Sequence, residues 1–256
     1  MPTARTVTPK HAALLMISAL LLTSTAADTG ERPARHRRQD TSPPPWDIAI
    51  VESTSQHEGH VMDTEWLKVA TALGHRAAIV PQTFLDDPRN LKDKEILIVA
   101  SGLIDLPTQR RHTMERFLRS GGGLYLQSEY MVSHPGNVAF VDLVERLDGH
   151  FQWTGEVSGD LASIAIRGPL SHTPEPVSSL PYYWWGCQGR GLEAFLTWQS
   201  QDVGFAFCPA RDRPSMILTT SDQDWIKNAS SHPESVALMK NIIWRLGAER
   251  RCTSRP

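Results

Sequence analysis

Glu95-Ile96-Leu97-Ile98-Val99-Ala100-Ser101-Gly102 is the stretch on which the fold turns. A short, unbroken apolar run closed by two small residues is what a strand covered on both faces requires. After it a helix is expected to start near Asp105 and Pro107, to bury Met114, Phe117 and Leu118, and to stop at Gly121. Leu124-Tyr125-Leu126 then reads as the next strand.

The pattern extends in both directions. Upstream, Asp47-Ile48-Ala49-Ile50-Val51 is another doubly buried strand, and Glu52 to His60 a polar loop. Trp66, Leu67, Ala70 and Leu73 fall on one face of a helix ended by Gly74, and Ala77-Ala78-Ile79-Val80 is a further strand. Downstream, a helix is expected from Asn137 to Leu147, and Ser163 to Ile166 alternates like a half-exposed strand. Residues 168–182, rich in Pro and Ser, read as a long loop. Leu192–Trp198 and Val203–Cys208 are predicted to form a β-hairpin, and Ser215 to Thr220 returns as a strand. A last helix carries Val236, Met239, Ile242, Ile243 and Leu246 and ends at Gly247. Strands and helices alternating over short connections predict an α/β fold. Its sheet would be mostly parallel with helices on both faces, and a β-hairpin is added in the C-terminal half.

The N-terminal segment sets the expected compartment. Arg5, Lys10 and His11 precede the apolar run Ala12 to Leu22, and Ser24-Thr25-Ala26-Ala27 supplies small residues. That is the layout of a signal peptide over 1–27, so a secreted or periplasmic protein is expected. The apolar run is short for a bilayer, which takes about 20 residues, so no stable membrane insertion is expected after cleavage. Residues 28–45, with Arg32, Arg35, Arg37, Arg38 and Pro43-Pro44-Pro45, read as a solvated basic linker. Residues 46–248 form the folded domain, and 249–256 a polar tail. The formal net charge is −2, and several positive charges lie in the leader and linker, which argues against a nucleic-acid partner. In an oxidising compartment two of the three cysteines can pair, and Cys187 with Cys208 is the expected bridge.

Three features together resemble a known superfamily. They are the strand ending in Ser101-Gly102, the run Gly121-Gly122-Gly123-Leu124-Tyr125-Leu126, and Ile217-Leu218-Thr219-Thr220-Ser221-Asp222 ahead of a helix with Asn241-Ile242-Ile243-Trp244-Arg245-Leu246. Their order over residues 46–248 resembles the class I glutamine amidotransferase-like fold. Its non-amidotransferase branches are the nearer likeness: ThuA-like proteins and the trimerisation domain of some β-galactosidases. The resemblance implies a flavodoxin-like layout. The enzymes of that class place a nucleophilic Cys in a sharp turn after the strand that Leu124-Tyr125-Leu126 matches. Here the turn reads Gln127-Ser128-Glu129-Tyr130, without Cys, so glutaminase chemistry is not expected.

Two fragments mimic parts of that machinery. Cys187-Gln188-Gly189 lacks the following helix that an activated thiol needs. His232-Pro233-Glu234 has a simpler account, with Ser231 as N-cap and Glu234 completing a capping box.

More weight falls on polar residues at the predicted carboxyl ends of strands, where open α/β sheets bind ligands. These are Glu52, Ser53 and Ser55; Ser101 and Gly102; Gln127, Ser128 and Glu129; and Ser221, Asp222 and Asp224. They form either one polar rim pocket or a set of separate helix caps and turns. His57 and His60 in the first rim loop could ligate a divalent metal together with Glu129 or Asp222, or stand as exposed loop residues. Tyr182-Tyr183-Trp184-Trp185 offers ring faces either to a sugar or to core packing.

The leading expectation is therefore a non-catalytic exported module that binds a carbohydrate or another protein and uses no cofactor. The alternative is a hydrolase in which Glu129 works with Asp222 or Asp224, in a metal-dependent variant through His57 and His60.

Overall fold

The structure, a computed structural model, describes residues 45–53, 62–158, 163–180, 185–209, 215–227 and 229–248. The predicted leader, most of the linker, Ser55, His57, His60, Tyr182 to Trp184 and Cys252 lie outside them. Strand β1 (Asp47–Val51), helix α1 (Met62–Ala72), β2 (Arg76–Val80), β3 (Ile96–Val99), α2 (Thr108–Arg119), β4 (Gly123–Leu126) and α3 (Pro135–Arg146) make the first half. The second half holds β5 (Gln152–Ser158), β6 (Ile164–Ile166), β7 (Ser179–Leu180), β8 (Trp185–Arg190), β9 (Glu193–Trp198), β10 (Gln201–Phe207) and β11 (Met216–Thr220). The short α4 (Asp224–Lys227) and the long α5 (Pro233–Gly247) follow.

Among the described residues, nine strands form one sheet in the order β2-β1-β3-β4-β11-β10-β9-β6-β7. The half from β2 to β11 is parallel, as expected for strands joined through helices. From β11 outward the pairings are antiparallel, and the predicted hairpin is β9–β10. The fold is thus α/β, with the antiparallel extension larger than one hairpin.

Alternation along the strands divides the core into two layers. Ile48, Ile50, Ile96, Ile98, Tyr125 and Leu218 pack towards α1 and α5 through Trp66, Met239, Ile242 and Leu246. Ala49, Val51, Leu97, Val99, Leu124 and Leu126 pack towards α2 and α3 through Met114, Phe117, Phe140 and Leu143. A strand covered on both faces must be apolar at every position, which is why these runs stand out in the sequence. Gly121, at φ 98°, takes the left-handed conformation that ends α2 and turns the chain into β4.

Two expectations need correction. The predicted loop 168–182 contains the edge strand β7. The capping box at Ser231 does not form: Ser231 lies in a 3-10 turn, and His232 is the N-cap of α5, with no side-chain capping bond. Pro233 fills the first helical position, where no N–H is needed. A pairing that patterning missed is the separate antiparallel ribbon β5–β8.

Candidate functional site: a closed carboxyl cluster at the strand ends

Strand order reverses between β1 and β3, but the polar residues gather further along, beyond the ends of β3, β4 and β11. Gln127 is the hub. Its Oε1 accepts from the Tyr125 hydroxyl, and its amide donates to the carbonyls of Ser128 (2.6 Å), Thr220 (3.1 Å) and Asp222 (2.8 Å). Ser128 Oγ meets Thr219 Oγ1 at 2.7 Å, and Thr219 donates to the Leu126 carbonyl. Trp225 Nε1 donates to Thr220 Oγ1 at 3.0 Å. All these side chains are buried, so each polar atom has to find a partner inside the protein.

Glu129 and Asp222 meet above this hub. Each is 4 % exposed, and the two buried carboxyls are close enough to shift one another. Burial first, then the Asp224 charge, pushes Glu129 up to about 7, against the pull of the Tyr130 N–H and of bonds from Asp222 and Gln223. Asp222 is raised well above the usual carboxylate range by burial and by the charges of Glu129 and Asp224. Burial and mutual proximity thus both favour the protonated form of this pair. Asp222 Oδ1 also accepts the Asp224 N–H at 3.0 Å, closing the turn into α4. Ser101 Oγ donates to Gln223 Oε1 at 2.8 Å, which ties the end of β3 into the same cluster.

The loop that carries Glu129 is braced from below. Asn137 Oδ1 accepts the Glu129 N–H at 2.7 Å, and its Nδ2 donates to the carbonyls of Glu129 (2.7 Å) and Met131 (2.9 Å). Gly136 makes this possible: a Cβ there would lie 2.3 Å from the Gln127 carbonyl and 2.9 Å from Gly102 Cα. Residues 127–134 intervene between β4 and α3, so the sharp strand-to-helix elbow of a nucleophile is not formed.

Cys187 lies beneath this loop. Its Sγ donates to the Tyr130 carbonyl at 2.8 Å and receives Asn137 Nδ2 at 3.4 Å. Burial, reinforced by the Glu156 charge, pushes the thiol up to about 12, which leaves it protonated. The predicted Cys187–Cys208 bridge is therefore corrected. Cys187 is a free, buried thiol turned towards Tyr130 and Asn137, whereas Cys208, beyond the end of β10, packs against the layer of α1 and α5. Cys208 is itself disulfide-bonded.

Of the predicted rim, Ser101, Gly102, Gln127, Ser128, Glu129 and Asp222 are brought together, with Asp224 close enough for its charge to act. Ser221 is buried beside them, its hydroxyl without a hydrogen-bond partner. Glu52 is exposed and engaged elsewhere, accepting the Gln82 N–H, and the Ser53 N–H is bonded to Asp63 near the start of α1. Asn137, Gln223, Thr219 and Thr220 were not anticipated as cluster members. Among the described residues no three His, Cys, Asp or Glu are placed to hold a metal ion. A groove of about 710 Å³ opens elsewhere, between Glu175 to Ser179 and the start of α5, where Lys240 pairs with Glu175 at 3.0 Å.

No protein-family model matches this sequence, and no curated protein does. Solved structures do share its fold. The mmIFT52 N-terminal domain aligns with a TM-score of 0.60 at 10% identity, over 82% of this chain and 100% of that one. A ThuA-like protein from Bacteroides uniformis aligns with a TM-score of 0.51 at 12% identity, over 83% and 94% of the two chains. A ThuA-like protein from Parabacteroides merdae gives 0.51 at 11% identity, over 83% and 93%. At these identities the likeness is one of architecture, and the chain has the α/β fold that these proteins share.

Proposed function

We propose that the chain is an exported, non-catalytic binding or interaction module, carbohydrate-related, on an amidotransferase-like scaffold. One observation carries this reading: the strand ends are closed by side chains that, Ser221 aside, are hydrogen-bonded within the protein. The position matching the superfamily's nucleophile belongs to a loop held by Asn137, and the buried free thiol has its pKa pushed up to about 12. A catalytic group must reach its substrate, and Glu129 and Asp222 are almost wholly covered. Export rests on the pattern of residues 1–27, and a mature chain beginning near Ala27 or Asp28 would show in N-terminal sequencing of exported material. Incubating the purified protein with glutamine and a panel of glycosides should release no product.

The Glu129–Asp222 pair favours a second reading, a hydrolase. A carboxyl with a pKa of about 7 beside another carboxyl is a known acid–base arrangement. Turnover that disappears in folded Glu129→Gln would establish it, and dependence on added divalent metal would point to the variant through His57 and His60.

A further inference from the structure

The aromatic run of the sequence reaches the described structure only at Trp185, and that ring is turned outward. Trp185 is 50 % exposed and Tyr130 36 %. Their ring centroids lie 6.0 Å apart with the planes inclined at 48°, and the His134 ring stands edge-on to Tyr130 at 5.2 Å. Two large aromatic rings left open side by side are available to a partner.

Their arrangement is fixed from beneath. Cys187, two residues along β8 from Trp185, donates to the Tyr130 carbonyl, and Asn137 holds the carbonyls on either side of Tyr130, those of Glu129 and Met131. The buried thiol thus fastens one ring-bearing element to the other. Across the ribbon, β5 presents exposed Glu156 opposite Cys187 and exposed Ser158 opposite Trp185. A carboxylate and a hydroxyl therefore share the ribbon face of Trp185.

We propose that Trp185 and Tyr130 form a preorganised platform for a neutral carbohydrate. This rests on the reading of the chain as a carbohydrate-related binding module. Pyranose rings present apolar C–H faces to aromatic rings and hydroxyls to carboxylates and hydroxyl side chains. The local charge selects the class: Glu156, exposed and opposite Cys187 on the ribbon, sets a negative charge beside the rings. An anionic sugar, a phosphate or a nucleic acid would be repelled. Val132 on the loop and Val138 on α3 are also exposed.

The test is titration of the full mature chain with cello-, malto-, manno- and chito-hexaose, followed by tryptophan fluorescence and calorimetry. At least one should bind saturably at millimolar concentration or tighter, and a hexa-uronate of the same length should bind more weakly. Trp185→Ala and Tyr130→Ala should each weaken binding about tenfold, corresponding to about 1.4 kcal/mol, at unchanged circular dichroism. Trp185→Phe should retain part of the affinity. Absence of binding across the panel, tighter binding of the uronate, or a folded Trp185→Ala that binds like the parent would overturn the platform. Failure of the broader reading looks different: products released from a hexaose would reveal an enzyme, whatever Trp185 does.

Discussion

Glu129, beyond the end of β4, and Asp222, beyond the end of β11, bring two carboxyls together in the buried core, and burial raises the pKa of both. The consequence is an acid-leaning stability profile. Glu129 has a folded pKa of about 7 against an ordinary 4.5, so over that interval the native state binds more protons than the unfolded chain. Its contribution is fully present below pH 4.5 and is lost as pH rises through 7, and Asp222 shifts in the same direction. At about 1.4 kcal/mol for each pH unit the loss is on the order of 3 kcal/mol. Thermal unfolding followed from pH 4.5 to 8 should show it. Glu129→Gln, whose amide stays neutral without taking up a proton, should flatten the slope and be the more stable protein at pH 8. A slope equally steep in the variant would place its origin elsewhere.

Asn137 is expected to be the most sensitive polar residue of the site. Asn137→Ala strips partners from the Glu129 N–H and from the carbonyls of Glu129 and Met131, all in a covered region. Buried groups left unpaired cost about 1–3 kcal/mol each, so a loss of about 3 kcal/mol is expected in denaturant unfolding. Asn137→Asp should be worse at pH 8, because a carboxylate would face two carbonyls. A shift below about 0.5 kcal/mol, the size usual for surface substitutions, would show that the loop is held by something else.

Which parts of this were legible in the sequence follows from what covers them. The runs of β1, β3 and β4 are apolar throughout because helices lie on both faces, so they announce themselves. Gln152–Ser158 hides, because only one face of the ribbon meets the core and a register shift between Trp153 and Gly155 breaks the alternation. Glu129 and Asp222 could be anticipated because strand ends can be located without knowing the contacts. Asn137 could not. An Asn inside a helix carries no local sign that its amide reaches back to a loop. Glu52 has the same apparent credentials as Glu129, yet its carboxylate is occupied by the Gln82 N–H.

Cysteine pairing offers a direct check on the packing of the ribbon. The chain has three cysteines; Cys187 is free and Cys208 is disulfide-bonded. Alkylation of the native protein should leave Cys187 unlabelled, and labelling after unfolding without reductant should modify Cys187 but not Cys208. A peptide joining Cys187 to Cys208 would contradict the position of Sγ under Tyr130.

The last prediction concerns chemistry: the protein releases no ammonia from glutamine, and Cys187 is no nucleophile. A nucleophilic thiol needs a lowered pKa, a nearby base and access to substrate. Cys187 has the opposite of the first, with burial and then Glu156 driving it up to about 12. Its hydrogen goes to the Tyr130 carbonyl, which cannot act as a base. The elbow that would present such a group is replaced by the loop of residues 127–134, where Glu129 faces Asp222. Cys187→Ala should thus leave any measurable activity unchanged at equal folded fraction. It should cost stability by about 1–3 kcal/mol, because the Tyr130 carbonyl loses its donor and a small cavity opens. Cys187→Ser, whose hydroxyl can still donate to that carbonyl, should recover part of the loss. Ammonia release that vanished in folded Cys187→Ala and stayed absent in Cys187→Ser would mean that the thiol is reached by substrate, in a conformation unlike the one described here.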